Sequence, residues 1–234
     1  MREFAALRNV HLIAVSSLFD PLLPTSPESA VTWGACGDAA LSLALAHTIG
    51  RHTGPVLLAT ADVQTASRIA NDLQFFLEND ELPVITFPDW ETLPYDVFSP
   101  LPELVSQRLL TLHRVRELQH GIVIAPVATL MQRILPADFL DAHSLLLQVG
   151  EQLDFDAFRR KLERAGYNNV SQVMSHGEFA VRGSLIDLFP MGSEQPLRID
   201  LFDNEIDSIR AFDPESQRTE EKIQQFSMLP AREF

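Results

Sequence analysis

The hydrophobic rhythm of this chain changes once, near Ser144, and that change limits the possible folds more than any other feature. Before it, short apolar runs alternate with amphipathic helical patterns. DAALSLALAHTIG (Asp38–Gly50) reads as a helix with Asp38 as N-cap and Gly50 just past its end. PVLLAT (Pro55–Thr60), PVITF (Pro83–Phe87) and IVIAP (Ile122–Pro126) read as buried strands. Between them lie helical patterns at Asp62–Asn79 and Leu101–His120, and a short one follows at Val127–Arg133. In the second of these, Leu104, Val105, Arg108, Leu109, Leu112 and Val115 recur at helical spacing. Strands with little alternation, separated by such helices, predict a parallel sheet covered on both faces. Residues 31–142 are thus expected to form an open α/β domain of nucleotide-binding type.

After Ser144 the pattern is different. LLLQV (Leu145–Val149) is a strand, and Asp154–Gly166 is one helix capped by Asp154 or Asp156. From Val170 onward nearly everything reads as strand: VSQVM, GEFAV, LIDLF, LRIDLF, IDSIRAF and KIQQFSML, punctuated by Gly177, Gly183, Gly192, Asn204 and Asp213-Pro214. Residues 143–230 are expected to be a small α+β domain, mostly antiparallel, with residues 231–234 starting a further segment. Residues 20–30, with Pro21, Pro24 and Pro27, read as a linker, and residues 1–30 as a leader and linker together.

FPDWETLPYDVFSP (Phe87–Pro100) interrupts the first pattern. Pro88, Pro94 and Pro100 exclude a helix interior or a central strand. Its aromatic and aliphatic side chains point to an ordered loop docked on a core.

Charge and cysteine usage narrow the function. The formal net charge of −14 repels phosphate backbones on average, although a local basic patch remains open. One cysteine, Cys36, forms no internal disulfide and fits a reducing, cytoplasmic setting. No apolar run reaches the ~20 residues of a membrane span. The seven histidines form no metal-binding pattern with Cys36, and Asp200–Asp207 lacks the glycine of a calcium loop, so a hairpin turn at Asp203-Asn204 is expected there.

A phosphate loop belongs at the first strand-to-helix turn, VTWGACGDAAL (Val31–Leu41). Counted from Gly34, the second glycine, lysine and hydroxyl would stand at Ala39, Ala40 and Leu41; counted from Gly37, the lysine and hydroxyl would stand at Leu43 and Ala44. Neither register holds the lysine or the hydroxyl that phosphates and magnesium require. Gly34, Gly37, Ala39, Ala40 and Leu41 therefore mark either an emptied phosphate loop or a glycine-containing helix start, and neither predicts ATP hydrolysis.

One strand of the second domain stands out. In LRIDLFD, Leu197, Ile199 and Leu201 alternate with Arg198, Asp200 and Phe202. The first set faces a core. The second places an aromatic ring near an arginine, the residue chemistry of an interface anchor, unless another element covers that face. Arg182 in EFAVRG has the parity to share it.

FPDWETLPYDVFSP, VATLMQRILP, the block from AGYNNVSQVM to DPESQRT, and MLPAREF together resemble the N-terminal region of the bacterial transcription-repair coupling factors, from about Trp33 to Phe234. In that family this region is similar to the excision-repair protein UvrB: a degenerate helicase-like domain of RecA type, then a small domain that binds UvrA. The resemblance implies UvrA binding through Arg182, Arg198 and Phe202. It also implies an emptied phosphate loop with no cofactor in this segment, ATP and magnesium serving a motor elsewhere in a longer protein. RNA polymerase and DNA would be met by other parts, and a C-terminal domain would mask the UvrA-binding face. UvrB's lesion-probing hairpin has no room here, because LPEL (Leu101–Leu104) runs straight into a helix. The leading expectation is a non-catalytic module recruiting UvrA. Its rivals are a nucleotide- or DNA-binding domain active in its own right and an autoinhibitory structural domain.

Overall fold

The computed structural model describes residues 11–12, 19–34, 36–77, 82–92, 97 and 99–233. Two compact units divide the chain: Met1–Thr86 with Leu118–Leu130, and Phe87–Glu117 with Met131–Phe234. Grouped by contact, the two units interleave along the sequence.

The first unit opens with β1 (His11–Leu12), paired in parallel with β2 (Val31–Thr32). The expected linker between them is held to the unit. The Asp20 carboxylate pairs with Arg51, Phe19 meets His47 edge-on, and Trp33 Nε1 donates to the Leu22 carbonyl at 2.9 Å. Helix α1 (Asp38–Arg51) is N-capped by Gly37 rather than Asp38. It also runs through Gly50, which sits inside its last turn; His52 ends it by leaving helical geometry.

Strand β3 (Pro55–Thr60) and helix α2 (Val63–Phe76) follow. Asp62 caps α2, its carboxylate accepting from the Thr65 amide at 2.7 Å, and that bond holds the Asp62 pKa below the usual carboxylate value. Ala66, Ile69, Ala70 and Leu73 form the buried stripe of α2. After β4 (Val84–Thr86), helix α3 (Pro102–Glu117) belongs to the second unit; β5 (Gly121–Pro126) and α4 (Val127–Leu130) return to the first. The parallel sheet runs β3-β5-β4. Val56 and Leu58 pack with Ile122, Ile124 and the two helices. The expectation of cover on both faces fails at β3, where Leu57 is 62% exposed and Ala59 is exposed as well. As the edge strand, β3 alternates, whereas central β5 is buried throughout.

The second unit adds α5 (Ala137–His143), β6 (Leu145–Gln148), α6 (Phe155–Arg164), β7 (Asn168–Asn169), β8 (Glu178–Arg182), β9 (Leu185–Leu188), β10 (Leu197–Phe202), β11 (Glu205–Phe212), β12 (Thr219–Ile223) and β13 (Gln225–Met228). Six of these strands form one sheet in the order β12-β11-β10-β9-β8-β7, antiparallel except for the β7-β8 pair; β13 pairs separately with β6. Asp154 caps α6 by accepting from the Ala157 amide at 2.8 Å. Phe158 and Leu162 of α6 and Leu109 of α3 meet Phe179, Leu188 and Ile199 in a single core on one face of the sheet. That shared core is why α3 groups with this unit.

VSQVM, expected as a strand, is irregular. Val170 and Val173 are an odd number of residues apart, so a strand would send them to opposite faces. Instead both pack with Ala180, Phe189 and Phe212 on the second face of the sheet.

The Phe87–Pro100 loop is tied down at its start. Phe87 is buried, and the Arg108 guanidinium lies 4.6 Å from its ring centroid and 5.1 Å from that of Trp90. Arg108 is wholly buried, donating to the Pro88 carbonyl at 2.7 Å and to Glu233 Oε1 at 2.6 Å. Val97, by contrast, stands almost fully in solvent. Leu93–Asp96 and Phe98 lie outside the described residues. Among the described residues no helix is long and apolar enough to cross a membrane.

Candidate interaction face of the second sheet

Antiparallel pairing places cross-strand partners on the same face of a sheet. The row through Arg198 therefore reads Ala180, Asp187, Arg198, Arg210 and Lys222, from β8 across to β12. The next row holds Arg182, Leu185, Asp200 and Ser208. Leu197, Ile199 and Leu201 point the other way, into the core, as the alternation in LRIDLF required.

Arg198 is held within the fold. Its Nε and Nη2 donate to the two carboxylate oxygens of Asp187 at 2.6 and 2.9 Å, and Nη1 reaches the Gln217 carbonyl at 3.4 Å. Its guanidinium lies 4.8 Å from the Phe212 ring centroid. The Arg198 side chain is 18% exposed and that of Asp187 2%. The bond to Asp187 raises the Arg198 pKa further, so it stays a cation across the working range. Arg198 and Phe202 are thus not exposed together: the arginine is largely covered, whereas Phe202 is 72% exposed.

The backbone explains where Phe202 points. Register shifts between Asp200 and Leu201, leaving Asp207 as the extra residue on β11. Such a bulge bends β11 and sharpens the twist at this end of the sheet, while β10 keeps its alternation and leaves Phe202 on the face of Arg198. Directly after it Asp203 and Asn204, at φ +46° and +65°, close the two-residue hairpin turn expected of the acidic run. Phe202 thus projects from a strand end beside a tight turn. Arg182, two strands away on the same face, is exposed and donates to the Ser171 carbonyl at 3.1 Å. At ~4.8 Å per strand and ~3.4 Å per residue, its Cα lies roughly 10–13 Å from that of Phe202.

Sequence reading missed Asp187, the partner that orients Arg198, and the cations Arg210 and Lys222 beside it. The parity of Asp187 between Ile186 and Leu188 was a usable signal, but the cross-strand register was needed to pair it. Three cations on adjacent strands repel one another. Asp187 neutralises one of them, and Arg210 Nε is buried with no hydrogen-bond partner among the described residues.

In the first unit, Gly34 and Gly37 have open space where a Cβ would stand, so no close backbone approach demands glycine at either position. Ala39, Ala40 and Leu41 form the first turn of α1, and Leu41 packs toward the core. The nearest hydroxyl in the helix, Ser42, is buried and donates to Asp72 at 2.8 Å. Nothing in this turn supplies a cation for a triphosphate. Among the described residues no three His, Cys, Asp or Glu side chains are arranged to hold a metal ion.

A family profile described as the UvrB interaction domain matches residues 145–234, which contain all of this face. The chain is 49% identical over 201 residues to a transcription-repair-coupling factor of Escherichia coli (strain K12), an alignment covering 86% of this chain and 17% of that protein. It is 43% identical over 219 residues to the one from Haemophilus influenzae, covering 94% of this chain and 19% of that protein. With that of Bacillus subtilis (strain 168) it shares 35% identity over 180 residues, 77% of this chain and 15% of the relative. The chain thus spans about a sixth of the length of these relatives.

Proposed function

The chain is a relative of the transcription-repair-coupling factors with a UvrB interaction domain at residues 145–234, and from that premise we propose that it is a non-catalytic docking module for UvrA. In a longer protein it would bring excision repair to a stalled RNA polymerase. The observation that carries this reading is Phe202: a large aromatic side chain held in solvent at the end of β10, beside a tight turn, on the face that also presents Arg182. An apolar side chain so exposed is costly in water and is repaid when a partner pocket takes it up.

The three residues have different tasks. Phe202 anchors. Arg182, at the rim, steers toward an acidic patch on UvrA. Arg198 is a positioning residue, its guanidinium held by Asp187 so that the surface between them is preformed. No catalysis is assigned to the first unit, where Ala39, Ala40 and Leu41 stand in place of phosphate-binding residues.

Calorimetric titration of UvrA into the chain tests the reading. Arg182→Glu is expected to weaken binding about tenfold, mainly through a slower association that is salt-dependent. Unchanged affinity and salt dependence in this variant would remove Arg182 from the interface.

A further inference from the structure

Helix α6, on the core side of the sheet and so away from Phe202, carries a charge pattern that UvrA docking does not use. Arg159, Arg160, Lys161 and Arg164 lie within ten residues, four of the 18 Lys and Arg residues in a chain of net charge −14. Arg159 pairs with Glu163 at 3.2 Å. The side chains of the other three make no hydrogen bond or ion pair among the described residues, and all three residues are exposed.

Helical spacing gathers them. Ala157, Arg160, Lys161 and Arg164 fall on one stripe, since residues three and four apart are neighbours on a helix surface. The stripe lines a cleft of about 440 Å³ whose far wall is α5, with His143 at its edge. His143 is held by stacking on Phe139 at 3.9 Å between centroids and by its Nδ1 bond to the Phe139 carbonyl. A further cation stands just beyond the helix end. A Cβ on Gly166 would lie 2.8 Å from Cγ of Arg232 and 3.1 Å from its Nε, so the exposed Arg232 side chain runs across that glycine.

The helix C-terminus accounts for part of this, because its partial negative charge favours Lys161 and Arg164 in the last turn. It does not account for Arg160, one turn back, or for Arg232. Arg160 and Arg164 at i,i+4, and Lys161 and Arg164 at i,i+3, repel each other on the bare helix. Like charges gathered around a cleft are relieved by a polyanion.

We propose that this cleft is a phosphodiester site that takes the backbone of duplex DNA. The lining favours this class over an acidic protein. It offers alanines and cations but no Phe, Tyr, Trp, Leu or Ile to serve as a hot-spot anchor. Attraction to phosphate needs no such anchor and carries no base preference. The site is independent of the UvrA face and adds DNA contact to a chain whose average charge disfavours it.

The test is fluorescence anisotropy with a labelled duplex of about 20 base pairs, from ~50 to 200 mM salt. Three or four neutralised phosphates give a slope of log K against log salt near −3, at ~0.9 per phosphate. The variant Arg160→Gln/Lys161→Gln/Arg164→Gln should bind at least tenfold more weakly at 50 mM salt, with the slope reduced by two to three. A charge-matched control, Arg114→Gln/Arg133→Gln/Arg218→Gln, should stay within twofold of wild type. Three results overturn the proposal: no duplex binding by wild type at 50 mM salt, equal losses in both triple variants, or a poly-glutamate peptide that binds the cleft while duplex DNA does not. Because the substituted side chains are exposed, unchanged thermal melting will confirm that the variants are folded.

Discussion

Arg198 on β10 and Asp187 on β9 meet through two parallel hydrogen bonds, joining the arginine implied in partner binding to a carboxylate buried in the same sheet. The pair gives Arg198 a structural role within the sheet, apart from any contact with a partner. Charge reversal there would set a second carboxylate against a buried one, and a loss of UvrA binding by Arg198→Glu would mix misfolding with lost contact.

Removing the arginine should therefore reduce stability. Arg198→Ala leaves Asp187 without its partner and is expected to destabilise by about 2–3 kcal/mol, whereas Arg198→Lys, which keeps the charge but not the two-pronged geometry, should lose less. Phe202→Ala, at an exposed site, should stay within about 0.5 kcal/mol of wild type. Chemical denaturation of the three variants checks the ordering.

A second ion pair lies deeper. Arg108 in α3 and Glu233 are 125 residues apart in sequence and are both almost wholly buried. Arg108→Ala or Glu233→Ala leaves an uncompensated buried charge and should cost about 3–5 kcal/mol. The double variant Arg108→Met/Glu233→Leu should recover much of that loss, since apolar groups of similar volume often replace a buried pair at little net cost. Denaturation midpoints measure both, and near-equal stability of single and double variants would contradict the buried-pair account.

Tyr167 joins two parts of the second unit. Its hydroxyl donates to the Leu229 carbonyl at 2.7 Å and accepts from the Met191 amide at 3.0 Å. Tyr167→Phe should cost about 1–3 kcal/mol by leaving two buried backbone groups unpaired. Burial pushes the Tyr167 pKa well above the ordinary value. The unfolded chain then releases this proton first as pH rises past ~10, so the contribution is intact below that pH and fades above it. Of the two tyrosines, one should ionise only as the fold is lost, visible as a delayed step in tyrosinate absorbance.

In the first unit Gly121 begins β5 at φ +137°, and a Cβ there would stand 2.6 Å from the Pro83 carbonyl oxygen. Gly121→Ala is expected to destabilise by about 1–3 kcal/mol. Gly37→Ala, at φ −62° with open space around it, should change stability by only a few tenths to ~1 kcal/mol, the cost of a poorer N-cap. Thermal melting of both variants compares a glycine required by the backbone with one that is not.

The legible parts of this chain were those governed by local periodicity. Alternation in LRIDLF placed Leu197, Ile199 and Leu201 inside, and of the two cap candidates, Asp154 and Asp156, it is Asp154 that caps the helix. Helical spacing even placed Arg108 among the apolar positions of α3, where it is indeed buried. Its partner was not legible, because nothing local links position 108 to position 233. The same limit hid the pairing of Arg198 with Asp187, which depends on strand register, and the grouping of α3 with the second unit, which depends on where Leu109 packs. Helix ends were misjudged where composition and geometry disagreed, as at Gly50, a residue suited to a helix stop that remains inside the helix. For the candidate interaction face, sequence supplied the residue types, but only the fold separates the exposed Phe202 from the covered Arg198.

The most direct test of the docking account is the affinity of UvrA for the Phe202→Ala chain, measured by isothermal titration beside wild type at one salt concentration. Loss of a central aromatic anchor should weaken binding by about 30-fold or more, equivalent to ~2 kcal/mol, while the melting temperature stays unchanged. Equal affinity in the two chains would contradict the assignment of this face to UvrA.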